Sequence, residues 1–440
     1  MAQKMLRFRR LGLGPHLRPA VTPGISAQEY HDRRAALAAQ LAPDSVAVLA
    51  AADLKYRSGA VFYPYRQDSN FLYLTGFAEQ DSLAVIRKTG PQPEDFLFAL
   101  FVRPKDPRAE QWSGPWSGTQ AAQDVFNADE ALDINAVDAE LPRLLKGAKK
   151  VYTDIELSRG GRDTKFAALL GRLRAQPLAP LVHAQRAIKS EAEVANMRRA
   201  GRLSGRALTD AMRRPWASER QLAAFLDNEY ALSGLDGQAY VPVVAGGPRG
   251  RMIHYVQNNA ALRADEMVLV DAGGEYGTYV ADITRTWPAS GRFAPAQRDL
   301  YSAVLRAQRT GVSLCRAAAG LSLDRIHAVV EDALRAGLVE LGFDTSGDAM
   351  SVLFPHHVGH YVGLDVHDTP GYPRHVALRP GHCVTVEPGV YVPDDARWPA
   401  HFRGMGVRIE DSVCVGEEDP YILTTEAVKE VDDIEALREQ

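Results

Sequence analysis

The sequence predicts a two-domain protein of the α/β (α+β) class. Three observations predict it. The chain has 440 residues, 46% of them hydrophobic and 24% charged, more than one ordinary globular core holds. Short β-branched and aromatic runs alternate with longer helical stretches in both halves. Between the halves, QPLAPLVHAQRAIK (176–189) has two prolines and no clear period. The boundary is expected there, giving an N-terminal α/β domain over 1–180 and a second domain over 181–440.

The elements follow in order. Residues 1–25 read as a basic arm: the first 28 residues hold no Asp or Glu but carry Lys4, Arg7, Arg9, Arg10 and Arg18. SAQE (26–29) is a capping-box pattern ahead of an Ala-rich helix. SVAVLA (45–50), NFLYLTGF (70–77), SLAVIR (82–87), DFLFALFV (95–102) and KKVYTDI (149–155) read as strands. SEAE at Ser190 opens a helix to about 213, and SERQ at Ser218 opens another that ends near Gly234. Strands are expected from Ala239, in AYVPVVAG, EMVLVDAGG and TYVADITRTW. Two long helices come next, roughly 295–317 and 322–341. The last hundred residues return to short strands with Gly and Pro turns.

Bulk properties exclude several functions. A net charge of -4 gives no general attraction to nucleic acid or acidic membranes. No apolar run approaches the ~20 residues of a membrane span. Cys315, Cys383 and Cys414 are odd in number and widely spaced. They make no zinc pattern and no disulfide framework, which suits a reducing compartment. A cytoplasmic location is expected. The acid-free, Arg-bearing N-terminus supplies the alternative, a mitochondrial transit segment.

Chemistry concentrates in carboxylates that stand in apolar surroundings. MVLVDAGG ends a strand in Asp271. TYVADITRTW places Asp282 inside a β-branched and aromatic run. CVTVEPG ends a strand with Glu387. GVRIEDSVCV places Glu410 in a strand where Val407, Ile409, Val413 and Val415 mark the apolar face, with Arg408 on the face of Glu410. Buried charge is costly unless paired or metal-bound. Any one of these acids has a cheap explanation, an edge position or an arginine partner. Four that converge need counter-charge, which two divalent cations supply. Hard oxygen ligands with few nitrogens and no thiolate favour Mn²⁺, with Co²⁺, Fe²⁺ or Zn²⁺ as substitutes.

HHVGHYVGLDVHD (356–368) carries four of the twelve histidines. His356 and His360 have the i, i+4 spacing of a helical zinc site. The HExxH pattern, however, needs Glu where His357 stands, and Gly359, Gly363 and three valines suit a helix poorly.

Together, VDAGGEY, VADITRT, HHVGHYVGLDVHD, TVEPGVY and GVRIED resemble the pita-bread metallopeptidases: methionine aminopeptidases, prolidases and Xaa-Pro aminopeptidases (aminopeptidase P). YPYRQDSNFLYLTGF (63–77) and AEQWSGPWSG (109–118) resemble the N-terminal domain of aminopeptidase P. The resemblance implies a pita-bread catalytic domain over 181–440 that holds two divalent metal ions. It implies that Asp271 binds one ion, that His360 and Glu387 bind the other, and that Asp282 and Glu410 bridge both. It implies that His254 and His367 face the substrate, that His356 and Arg408 line the pocket for proline and the residues beyond it, and that Tyr391 sits beside the site. His357 has no role in that pattern, and His356 and Arg408 also have purely structural readings. Where some bacterial members carry a Trp that reaches a neighbouring subunit's site, this chain has Leu72.

The implied reaction is hydrolysis of the bond between an N-terminal residue and a penultimate proline, by a hydroxide shared between the metals. Glu387 would move the proton and His367 would help hold the oxyanion. The implied partners are peptides with penultimate proline and further copies of this chain, as dimer or tetramer. The rival readings are a prolidase limited to Xaa-Pro dipeptides and a binding protein of the same fold without catalysis.

Overall fold

The computed structural model describes residues 20–155, 170 and 175–438. Most of the expected basic arm, with its mitochondrial alternative, therefore lies outside the described residues. Its last residues do not continue as an arm: Ala20–Thr22 pairs with Ile25–Ser26 as a short antiparallel ribbon.

The chain divides into two compact units, Met1–Arg186 and Ala187–Gln440. The division lies a few residues beyond the expected 180/181. The proline-bearing stretch is not a linker but the helix Ala179–Arg186, which buries Val182, His183 and Arg186. It packs on the helices Ala27–Gln40 and Ser69–Thr75, and Arg186 donates to Asn70 Oδ1 at 2.7 Å.

The first unit is built on a six-stranded mixed sheet. Its order is Ala175–Gln176, Lys150–Thr153, Ser45–Ala50, Leu83–Lys88, Phe96–Val102 and Glu130–Asp133. Four of the five runs read as strands lie in it. Val46, Val48, Leu83, Val85, Ala99 and Phe101 point to one core with Leu141 and Leu144. The fifth run is a correction: NFLYLTGF forms the helix Ser69–Thr75. Asp68 caps it by accepting from Phe71 N at 2.8 Å, and Gly76 ends it at φ 69°. Leu72 is 5% exposed there. The helix Ala27–Gln40 keeps half of its expected capping box. Glu29 N donates to Ser26 Oγ, while the Glu29 carboxylate turns to Arg33 at 2.7 Å.

In the second unit the helical expectations hold closely. Glu191–Met212 opens on a complete Ser190–Glu193 capping box. Glu219–Ser233 is capped by Ser218 and ends at Gly234, φ 84°. Pro295–Ser313 and Leu323–Glu340 are the two long helices. They share a core with the central strand Met267–Asp271, which lies between Val243–Gly246 and Thr284–Pro288. Among the described residues no helix is long and apolar enough to cross a membrane.

Candidate metal and peptide site

The acids of the second unit sit where strands stop. Asp271 is the last residue of Met267–Asp271. Glu387 directly follows Cys383–Val386. Asp282 and Glu410 do not lie inside strands, as their sequence context suggested. Asp282 falls between Tyr279–Val280 and Thr284–Pro288. Glu410 falls between Gly406–Arg408 and Asp411–Cys414, where the chain leaves one ladder for another. A residue free of the ladder can aim its side chain inward while apolar neighbours keep the core. Val407, Ile409, Val413 and Val415 are all at most 1% exposed.

HHVGHYVGLDVHD is not helical. The helix before it ends at Leu353, so His356 and His360 do not form a helical zinc pair. The segment instead lies along Cys383–Val386: Thr385 N donates to His360 O at 2.9 Å and Glu387 N to Val358 O at 2.7 Å. Gly359 permits this approach, because a Cβ there would meet Thr385 O at 2.0 Å. His360 and Glu387 are thereby made neighbours.

The five expected ligands converge. His360 Nε2 stands 3.5 Å from Asp282 Oδ2 and 3.4 Å from Glu387 Oε1. One ligand atom each from Asp282, His360 and Glu410 lies within 4.8 Å of the others. Tyr240 Oη joins the pair, 2.6 Å from Asp271 Oδ1 and 2.6 Å from Asp282 Oδ1. Arg408 Nη2 holds Asp271 Oδ2 at 2.6 Å.

The donor set fits a cation. The buried Glu410 accepts from Thr284 Oγ1 at 2.7 Å, yet its Oε1 has no partner among the described residues. One Tyr240 hydroxyl has a single proton for two carboxylates. Among the described residues, four carboxylates face Arg408 and His360 alone, so the cluster is short of positive charge. Proton affinities record the shortage. Burial, then Asp282, Glu387 and Asp271, raises Glu410 far above the usual carboxylate range. Burial also raises Asp271, against Arg408. Burial pushes Glu387 up to about 7, against His360 and Arg408 and with Asp282 and Asp271. Burial works to raise Asp282, but His360, Tyr240 and Arg408 together leave it below its ordinary value. His360 rises to about 9, since Asp282 and Glu387 overcome its burial. Its Nδ1 lies 3.0 Å from Tyr361 O. That carbonyl accepts a hydrogen bond from Nδ1–H, so Nε2 is the nitrogen that faces Asp282 and Glu387.

The remaining candidates surround this cluster. His367 is exposed and stacks edge-on against His360, ring centres 4.3 Å apart. His254 is also exposed; burial, then His360, lowers the basicity of His367, and His254 adds to this. His356 Nε2 and Arg408 Nη1 each reach Tyr391 Oη at 2.8 Å. His356 Nδ1 is 4.0 Å from Glu387 Oε2. Arg408 is 1% exposed and bonds Asp271, Tyr391 and Thr284, which makes it a buried support of those three side chains. His357 plays a structural part, stacking on His327 at 4.6 Å and facing Asp324 at 3.2 Å.

A model of metallopeptidase family M24 matches residues 195–417. A model of the aminopeptidase P N-terminal domain matches 30–152. The chain is 41% identical to intermediate cleaving peptidase 55 of Saccharomyces cerevisiae, over 94% of this chain and 84% of the relative. It is 39% identical to human Xaa-Pro aminopeptidase 3, over 97% and 89%. The crystal structure of E. coli aminopeptidase P with the inhibitor Pro-Leu superposes with TM-score 0.87 at 35% identity, covering 94% and 98%. The chain belongs to metallopeptidase family M24.

This M24 peptidase therefore has the pita-bread fold in its second unit, binds divalent metal and is a metallo-aminopeptidase acting on peptides. Three polar supports of its site, Tyr240, Thr284 and Thr385, carry no signal in the sequence. Tyr240 lies in AYVPVVAG, a run that reads as plain strand. Thr284 and Thr385 pass as β-formers, yet their hydroxyls reach Glu410 and Glu387.

Proposed function

We propose that this M24 peptidase removes the first residue from peptides whose second residue is proline, using two divalent ions, Mn²⁺ by preference. The observation that carries the reading is the convergence of Asp271, Asp282, His360, Glu387 and Glu410 on one cluster short of positive charge. In this reading Asp271 serves one ion, His360 and Glu387 the other, and Asp282 and Glu410 both. Oxygen-rich ligation with one imidazole favours Mn²⁺. Bound there, the ions supply Lewis acidity and an activated water at neutral pH.

The chain's own groups do the rest. Asp271, held by Arg408 and Tyr240, is oriented to receive the substrate's α-ammonium side. His367 and His254, exposed at the rim, are donors for the scissile carbonyl as it gains charge. Glu387 accepts a proton from the attacking water and returns it to the proline nitrogen, which must be protonated to leave. His356, Tyr391 and Arg408 form the wall for the proline ring and the chain beyond it. An Xaa–Pro bond has no N–H, so recognition has to come from such a wall and from the carbonyl. A homo-oligomer is part of the proposal.

The test is a substrate series with added Mn²⁺: Xaa-Pro dipeptides, Xaa-Pro-Yaa tripeptides and longer peptides, and peptides without proline. Cleavage of tripeptides and longer Xaa-Pro peptides with release of the first residue is expected. Exclusive cleavage of the dipeptide would make the protein a prolidase. Equal cleavage without proline would overturn the specificity but not the metal chemistry. No activity and no metal uptake would favour the binding-protein reading.

A further inference from the structure

Two of the three cysteines face each other. In the ladder between Cys383–Val386 and Asp411–Cys414, Cys383 is directly opposite Cys414. The bond from Val415 N to His382 O, 2.7 Å, flanks this pair and makes it a non-hydrogen-bonded position of the antiparallel ladder. At such positions the Cα atoms lie ~4.5 Å apart and the side chains leave the same face. That falls within the Cα separation of protein disulfides, roughly 4.4–6.8 Å. Each thiol lies near a backbone oxygen beside the pair, Cys383 Sγ 4.0 Å from Gly381 O and Cys414 Sγ 3.9 Å from Val415 O. Neither takes part in the metal cluster.

We propose that Cys383 and Cys414 are a peroxide-responsive modification site that closes a reversible cross-strand disulfide. The two sulfurs are not equivalent. Cys414 is 8% exposed and Cys383 fully buried. The thiol contact with Cys383 and the nearby Lys189 ammonium draw Cys414 below its ordinary value, whereas the same contact and burial raise Cys383. Lys189 is fixed at 2.8 Å on the buried Asp368. Cys414, the more exposed of the two, is thus the sulfur that meets the oxidant and Cys383 the resolving thiol.

The step balances with hydrogen peroxide as oxidant. The Cys414 thiolate attacks one peroxide oxygen; the O–O bond breaks, and hydroxide leaves and is protonated to water. Cys414 is then a sulfenic acid. The Cys383 sulfur attacks the Cys414 sulfur, the S–O bond breaks, and the second oxygen leaves as water with the Cys383 proton. Two thiols and one peroxide give one disulfide and two waters. The small oxidant suits a thiol that is only slightly exposed.

The link would fasten the strand that leads into Glu387 to the strand that comes after Glu410. Val386 and Asp411 are the opposite end of the same ladder, so a covalent tie at Cys383–Cys414 holds its register. It also constrains the unfolded chain. Oxidation is therefore expected to raise the thermal midpoint and slow the loss of bound metal.

The test uses the full chain loaded with Mn²⁺. Native protein is exposed to hydrogen peroxide, remaining thiols are alkylated after unfolding, and peptides are mapped by mass spectrometry. The expected result is one linked peptide pair, Cys383–Cys414, lighter by two hydrogens and reversed by dithiothreitol. Cys315, fully buried and pushed up to about 12 by burial, stays alkylatable. Cys383→Ser should leave Cys414 as a trappable sulfenic acid, and Cys414→Ser should abolish the reaction. Because the mapping needs only wild-type protein, a variant that fails to fold leaves the test intact. Three free thiols after exposure, a Cys414 sulfinic acid beside free Cys383, or a link to Cys315 would overturn the proposal. So would a linked protein with a lower thermal midpoint.

Discussion

Glu387 and Tyr240 divide the work of the cluster at the scale of single residues. Burial, against His360 and Arg408, holds the Glu387 carboxyl near neutrality, at about 7. A group there can take and return a proton in one cycle. Glu387→Ala is expected to lower kcat by ~10²–10⁴-fold even at saturating Mn²⁺; unchanged turnover would remove Glu387 from the proton path. Tyr240 touches no substrate in the proposed reading but holds Asp271 and Asp282 together. Losing such a support costs roughly 10–100-fold in metal affinity or activity. Tyr240→Phe is expected to weaken Mn²⁺ binding in that range, read by titration, with folding retained. The acids were legible in the sequence because a charge ending an apolar strand violates the ordinary pattern. Tyr240 was not, because a tyrosine in a strand-like run violates nothing. His357 was conspicuous, yet its partners His327 and Asp324 lie on a helix distant in sequence.

Elements explain both what could be read and what was misread. Capped, periodic helices such as Glu191–Met212 declare their own ends. Ser69–Thr75 does not. Six of its seven residues are buried, so no polar face interrupts the apolar run and the pattern cannot tell helix from strand. The sequence places Asp282 and Glu410 in strands for a related reason. Their neighbours alternate correctly, and only pairing reveals the breaks that free their side chains. The glycines of HHVGHYVGLDVHD spoke against a helix, but their positive purpose needed the opposing strand. Gly359→Ala tests that purpose. The added Cβ would meet a backbone oxygen, Thr385 O, at 2.0 Å, and backbone cannot rotate aside. Overpacking of this kind costs roughly 1–3 kcal/mol. The variant is expected to unfold at lower urea and to bind Mn²⁺ more weakly. A loss of stability with unchanged Mn²⁺ affinity would mean that this contact does not position His360.

At the scale of the whole molecule, the metal cluster asks the second unit to keep several ionisable groups away from water, and one such group lies outside the cluster. His382 is fully buried among Tyr361, Tyr372 and the Cys383–Val386 strand. Its Nδ1 accepts from Arg379 N at 3.2 Å. Burial first, then the positive charges of Arg379 and Lys189, lowers it to about 4. An unfolded histidine titrates near ~6.5. Above that value neither state binds the proton, and His382 contributes no pH dependence. Between pH 6.5 and 4 the unfolded chain takes a proton that the folded chain refuses, so stability falls as the pH falls. At pH 5 the two values correspond to about 2 kcal/mol. For a domain of this size that is a drop of roughly 4–8 °C in the unfolding midpoint. His382→Gln keeps a polar side chain and removes the titration. Compared in chelator, so that metal release adds nothing, wild type is expected to lose more of its midpoint than the variant between pH 7 and pH 5. Parallel pH profiles would show that His382 is protonated in the fold without penalty, and would place acid sensitivity in the carboxylate cluster instead.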